Sequence, residues 1–285
     1  MSNNYRRLDQ RTHVLTRPGM YIGTTSFQEY TNFHTLDEKC MKIKLEKNFK
    51  ILPGLFKIYD EAISNAVDNA IKNKSQKFIK VEIDEKTLAF KISNNACKIP
   101  LTLMNDDVTG TKELVPRIIF GQLLSGSNYE NNVEDEEVAG TNGLGIKLTN
   151  IFSKSFSVEI SRKAGKIKYF REVWKNNMEM SEPFITSSIA TENDDIITIE
   201  FVPDLSKFEN MDSKDKTNFV NALKKRTMDC LPILEGKGLK NCSVFLNNKD
   251  LGQNISLKEY VQKFWDIPQE DPHNEIIAQE TKNKF

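Results

Sequence analysis

A chain of 285 residues with 38% hydrophobic and 28% charged residues can bury a core without covalent staples, and is too apolar to be a disordered protein. Its 40 basic residues cancel its 40 acidic ones, so no global field draws it onto nucleic acid, and any such contact is local or made by another part of a larger molecule. The cysteines at 40, 97, 230 and 242 share no C-x-x-C spacing and stand beside no histidine cluster, and the chain has neither an apolar leader nor a membrane-length apolar run. It reads as an intracellular protein with reduced thiols, without a metal-binding cysteine cluster, neither secreted nor membrane-spanning.

In chain order, a short helix over Asp9–Thr16 leads into Arg17-Pro18-Gly19-Met20-Tyr21-Ile22-Gly23, where the Pro-Gly pair signals a turn and Tyr21-Ile22 an extended start, followed by polar strand-like pieces to about residue 50. Leu55 to Ile71 carries the strongest helical pattern. Phe78–Ile83 and Leu88–Ser93 alternate about Asp84-Glu85-Lys86 and predict an antiparallel hairpin, with Asn94 to Pro100 as the loop leaving it. Helix is expected over Val115–Leu124, and Ser125–Gly145 is a long polar segment of the length that lids and binding loops have. Helix resumes over Ile146–Phe152, and strands are expected at Ser155–Ile160, Ile167–Trp174 and Ile196–Val202. An amphipathic helix follows over Lys214–Asp229, then a strand at Cys242–Leu246, a short helix at Tyr260–Trp265 and a strand starting at Glu275. Helices and strands mix without regular βαβ alternation, which predicts an α+β sandwich with helices on one face of a mostly antiparallel sheet.

Three segments carry chemistry. On the long helix, Leu55, Phe56, Tyr59, Ala62, Ile63, Ala66, Val67, Ala70 and Ile71 share one arc, and Glu61, Asn65, Asp68 and Asn69 the opposite one. A solvated stripe is the commoner explanation of a polar arc. It would mix Lys with Glu, whereas Asn and Asp are poor helix-interior residues, so this face is read as one that coordinates a ligand. The second segment is Ser93-Asn94-Asn95-Ala96-Cys97-Lys98-Ile99-Pro100, where an asparagine carbonyl could accept from an adenine amine. The third, Gly140-Thr141-Asn142-Gly143-Leu144-Gly145-Ile146-Lys147, opens a helix with backbone N–H groups that suit phosphate, although its glycine order fits neither a Walker A loop nor a Rossmann fingerprint.

In this order, the three segments resemble the GHKL ATPases, the superfamily of gyrase and the histidine kinases. Arg17-Pro18 through Gly23, Pro53-Gly54-Leu55, Tyr59-Asp60-Glu61, Ile118 to Leu124, Ser127-Asn128-Tyr129, Asn150-Ile151-Phe152-Ser153 and Pro203 to Phe208 narrow the resemblance. They are similar to the amino-terminal domain of type IIA DNA topoisomerases, of eukaryotic, large-virus or T-even-phage flavour, from about Arg11 to the end of the chain.

The resemblance implies a two-layer GHKL (Bergerat) sandwich over residues 26–270, an amino-terminal arm and turn over 1–25, and the start of a truncated transducer domain over 271–285. It implies ATP and Mg²⁺ as cofactors. Glu61 is implied as the general base and Asn65 as the Mg²⁺ ligand, with Asn69 near the phosphates and Asn95 at the adenine. Ser127 and Asn128 would touch ribose and phosphate, and Asn142, Gly143, Leu144, Gly145 and Lys147 would line the triphosphate, Lys147 offsetting its charge. The implied activity is that of an ATP-driven dimer gate for DNA strand passage, in a homodimer that meets double-stranded DNA through the full-length enzyme, in cytoplasm or nucleus. The alternative is a nucleotide-gated dimerisation module without turnover of its own. Three departures stand out. Ala96 and Lys98 occupy positions that are usually glycine, the lid is one residue shorter than usual with Thr141 where Arg is common, and Gln279-Glu280-Thr281-Lys282 falls too early to be the transducer's Gln-Thr-Lys.

Overall fold

The computed structural model describes residues 8–105, 110–123, 144–253 and 255–264. The first half holds α1 (Gln10–Thr16), β1 (Gln28–Asp37), β2 (Lys42–Ile51), α2 (Pro53–Lys72), β3 (Phe78–Ile83), β4 (Phe90–Asn95), β5 (Leu103–Asn105), β6 (Lys112–Leu114) and α3 (Val115–Gly121). The second half holds α4 (Gly145–Ile151), β7 (Ser153–Ser161), β8 (Tyr169–Lys175), β9 (Met180–Ser181), β10 (Ile185–Ser187), β11 (Ile196–Pro203), α5 (Ser213–Met228), α6 (Cys230–Gly236), β12 (Ser243–Leu246), β13 (Lys249–Gly252) and α7 (Leu257–Val261).

Among the described residues, nine strands form one sheet in the order β10-β8-β7-β11-β4-β3-β12-β13, with β9 pairing β8. Every pairing in it is antiparallel except β12 with β3. This is the expected α+β class, a mixed, mostly antiparallel sheet packed against helices.

Helix α2 lies against the centre of that sheet. Pro53 stands at its first turn, where the missing N–H costs nothing and the fixed φ suits entry. Gly54 is required there, because a Cβ would press on Ile22 Cδ1 and Thr24 O at 3.0 Å, and the Gly54 N–H donates to that Thr24 carbonyl at 2.9 Å. The apolar arc of α2 is buried as expected except at Phe56 and Ile71, which are partly buried, and Tyr59 packs on Phe90 of β4 with centroids 5.2 Å apart. From behind, α5 closes the layer through Thr227 Oγ1, 2.5 Å from the buried Tyr59 hydroxyl. Burial holds that phenol protonated, its pKa displaced upward by desolvation.

Several expected boundaries move. The second hairpin strand begins at Phe90, not Leu88, because Leu88 closes a turn at φ 57° in which Asp84 accepts from the Lys86 and Thr87 amides at 2.7 and 3.1 Å. At its other end the strand runs on through Asn94 and Asn95, which pair with Ile197 and Ile196 of β11 and are not loop residues. Tyr21-Ile22 follows a 3₁₀ turn at Pro18–Met20 and joins no strand. The third helix stops at Gly121. The short helix near the chain end lies earlier, at Leu257–Val261, started by a capping box in which Ser256 and Glu259 satisfy each other's backbone amides. The strand expected from Glu275 lies outside the described residues.

Candidate functional site

Glu61, Asn65 and Asn69 follow one another at single-turn spacing on α2 and are all half-buried, so the polar arc is not a solvated stripe. Asp68, expected on the same arc, is buried at 9% exposure. Lys57 lies one turn before Glu61, its Nζ 2.5 Å from Glu61 Oε1. The opposite wall is backbone. Gly145, the first residue of α4, comes so close to Glu61 that a Cβ on it would overlap the carboxylate. This approach is anchored by Thr149 of α4, whose hydroxyl donates to the Ile58 carbonyl of α2 at 2.8 Å. Two segments far apart in the chain, α2 and the start of α4 at Gly145, thus meet at Glu61.

The other end of the site lies at the end of β4. Phe90 faces α2, and strand alternation puts Ile92 and Asn94 on the same face. Asn94 is 5% exposed, and its amide donates to Gln76 Oε1 at 3.3 Å and to the Asn95 carbonyl at 3.0 Å. Asn69 of α2 donates to the same Gln76 oxygen at 2.5 Å. Asn95 is the residue that the resemblance implies at the adenine. Its side chain turns the other way and is fully committed, Oδ1 accepting from the Lys77 and Phe78 amides at 2.8 and 3.3 Å and Nδ2 donating to Asp194 at 2.8 Å. That bond, reinforced by Lys163, holds the Asp194 carboxyl below its ordinary pKa. The asparagine that faces the α2 site is Asn94.

Ala96 sits at φ 60°, in the left-handed region, where a Cβ is strained by roughly 1 kcal/mol. Of the two replaced glycines, this is the one whose position calls for glycine, since Lys98 has no such φ. The Ala96 carbonyl is held by Asn73 Nδ2 at 2.7 Å. Next to it, burial pushes the Cys97 thiol up to about 11.

Lys147 belongs to the first turn of α4, two residues past Gly145, and its side chain is fully enclosed. Desolvation brings its pKa down to about 8. Leu144 lines a cavity of about 370 Å³ together with Leu8, His13, Val14, Tyr21 and Leu123, so the root of the amino-terminal segment packs beside the start of α4. Ser127, Asn128, Asn142 and Gly143 lie outside the described residues.

Gln76 has no motif around it, and the resemblance as read from the residues implied Asn95, not Asn94, at the adenine. The alternation Phe90, Ile92, Asn94 was present to choose between the two asparagines, but only once the strand was known to continue past Ser93.

The site holds the Glu61 carboxylate, with Asp68 buried on the same helix, and no cluster of three or more His, Cys, Asp or Glu able to hold a metal occurs among the described residues. That donor set fits Mg²⁺ brought with a phosphate ligand, which takes one or two protein oxygens and fills its shell with phosphate and water. No helix among the described residues is long and apolar enough to cross a membrane.

No family model matches the chain. The DNA topoisomerase 2 of Candida albicans is 37% identical over 268 residues, which is 92% of this chain and 17% of that protein. That of Drosophila melanogaster is 36% identical over 258 residues, 90% of this chain and 16% of that protein. The chain therefore spans less than a fifth of the curated relatives it matches. Among solved structures, the ATPase region of Saccharomyces cerevisiae topoisomerase II bound to dexrazoxane superposes with a TM-score of 0.81 at 30% identity, over 93% of this chain and 65% of that one. The ATPase and transducer domains of DNA topoisomerase II from Balamuthia mandrillaris give a TM-score of 0.81 at 29% identity, over 93% of this chain and 64% of that one. Motif order, fold and relatives agree, and this chain belongs to the type II DNA topoisomerases, to whose ATPase region it corresponds.

Proposed function

We propose that this chain binds Mg·ATP between α2 and the start of α4 and hydrolyses it to drive a dimer gate for DNA strand passage in a longer enzyme. The observation that carries the reading is the approach of the Gly145 backbone to Glu61. It brings the start of α4 onto the carboxylate, so that the helix base and the end of the glycine-rich segment can face one γ-phosphate and its attacking water together. Glu61 then accepts the proton of that water, a role suited to a carboxylate held by Lys57 at one oxygen. Asn65 would hold the magnesium ion, which would neutralise phosphate charge as the leaving group departs. Lys147, through its charge, would favour the anionic ligand at the α4 end. Asn94, not Asn95, would take the adenine amine, since the Asn95 side chain is committed elsewhere.

In the same reading, residues 1–25 are an arm that reaches a second copy, 26–270 the nucleotide-binding unit and 271–285 the beginning of a transducer. Ser127, Asn128, Asn142, Gly143 and Leu144 complete the nucleotide contacts. Double-stranded DNA is met by the longer enzyme. Sedimentation tests the gate. The chain should be monomeric without nucleotide and shift toward dimer with a non-hydrolysable ATP analogue, because only differential affinity for the closed form can couple the two. A stable dimer without nucleotide, or no shift at saturating analogue, would refute it.

A further inference from the structure

Gln76 has no place in the chemistry above, yet it touches Asn94, read there as the base contact, and Asn69 beside it on α2. It lies in the connection between α2 and β3 and is 2% exposed. Its Nε2 donates to the Ala66 carbonyl at 3.1 Å and lies 3.9 Å from Cys242 Sγ, which fixes the way its amide points. With Nε2 so placed, Oε1 is the atom offered to the site, and it accepts from Asn69 on α2 and from Asn94 on β4. The other groups that take hydrogen bonds from the two asparagine amides are backbone carbonyls. The Asn95 carbonyl takes Asn94 Nδ2 at 3.0 Å, and the Asn95 and Ala96 carbonyls both lie 3.5 Å from Asn69 Nδ2. A side-chain amide has an NH₂ end and an oxygen end, so when acceptors claim the NH₂ end of both asparagines, both oxygens turn away from Gln76.

We propose that Gln76 is a specificity-determining positioning residue: by fixing the amide orientation of Asn69 and Asn94, it makes the α2–β4 end of the site present acceptors only. Such a surface pairs with a ligand edge that donates, such as the 6-amino group of adenine. It rejects an edge that accepts at the same place, such as the 6-oxo group of guanine, because two oxygens would then face each other without a proton between them. Gln76 acts through the asparagines and touches no ligand. The inference rests on the reading of this site as a nucleotide site with the base at Asn94.

The test compares the affinities of the 285-residue chain for non-hydrolysable ATP and GTP analogues, with and without Gln76→Met, alongside thermal melts. Methionine keeps the volume and removes both the acceptor and the donor. The unsubstituted chain should prefer the adenine analogue, and Gln76→Met should lower that preference by about tenfold or more, mainly by weakening the adenine complex. Gln76→Glu keeps an acceptor facing both asparagines and should retain the preference. Equal weakening of both analogues by Gln76→Met would mean that Gln76 only supports the fold, and an unchanged ratio would overturn the proposal. In the unsubstituted chain, the side-chain NH₂ protons of Asn94 should exchange slowly with solvent. Exchange at the free-amide rate would overturn the proposal even if no variant folds. An unsubstituted chain that binds neither analogue, or both alike, would instead refute the base reading on which the inference stands.

Discussion

The two ends of the site are built on different principles. At the Glu61 end, a charged side chain meets an exposed lysine and a bare glycine backbone, and Lys147 is enclosed two residues further along α4. At the Asn94 end, neutral amides from α2, β4 and their connection meet in a small buried network, in which every amide hydrogen bond fixes the direction of the next. The first end depends on space and charge, and the second on the polarity of hydrogen bonds. Damage to the first should therefore appear in turnover and in pH dependence, and damage to the second in ligand discrimination and local strain.

Glu61→Gln should break the contrast most severely. It keeps the size of the side chain, removes the proton acceptor, and should lower turnover by about 10² to 10⁴-fold with little change in nucleotide affinity. Single-turnover hydrolysis and calorimetry measured together check this, and parallel loss of both would remove Glu61 from the role.

Lys147 provides a pH signature for the same end. Its folded pKa of about 8 lies below the model-peptide value of 10.5, so the unfolded chain binds the extra proton between those limits and folding gains stability as pH rises through them. From pH 7 to 11, the unfolding free energy of the unsubstituted chain should rise relative to Lys147→Met by about 3 kcal/mol. Denaturant melts of the two proteins across that range measure it, and parallel pH profiles would show that Lys147 is not held in a desolvated place.

Gly145→Ala tests space alone. The new Cβ would overlap the Glu61 carboxylate, so either α4 or Glu61 must shift, and a displacement of about 1 Å at a reacting group costs turnover about 10²-fold. Steady-state hydrolysis should fall by that order while the far-ultraviolet spectrum stays unchanged. Normal turnover would mean that the contact relaxes without consequence.

The smallest effect is expected at the amide end. Ala96→Gly relieves the left-handed strain at φ 60° and should stabilise the chain by about 1 kcal/mol or less, read as a shift in denaturation midpoint. A destabilised Ala96→Gly would show that the alanine methyl contributes more through packing than it costs in strain.

Much of this was legible in the residues. The arc of Glu61, Asn65 and Asn69 follows from helical periodicity, because side chains on one helix are arranged by the helix itself, and α2 extends over Pro53–Lys72 with that arc intact. The hairpin and the α+β class follow from alternation and element order. The order of the Glu-x-x-x-Asn helix, the Asn-Asn strand end and the glycine-rich loop carried the family resemblance. All of these patterns lie within single segments.

Tertiary structure alone decided the rest. Asn94 faces α2 and Asn95 faces away because β4 runs on past Ser93, held there by pairing with β11, about a hundred positions away in the chain. A shift of one residue exchanges the faces of a strand, so local composition cannot choose between two adjacent asparagines. Gln76 meets Asn69, Asn94 and Cys242 because α2, β4 and the residue before β12 come together around it. The need for glycine at 145 arises from a helix more than eighty positions earlier in the chain, and the low pKa of Lys147 from enclosure by neighbours that its own segment does not supply. Orientation, close approach and desolvation are properties of surroundings, and surroundings exist only once the chain has folded.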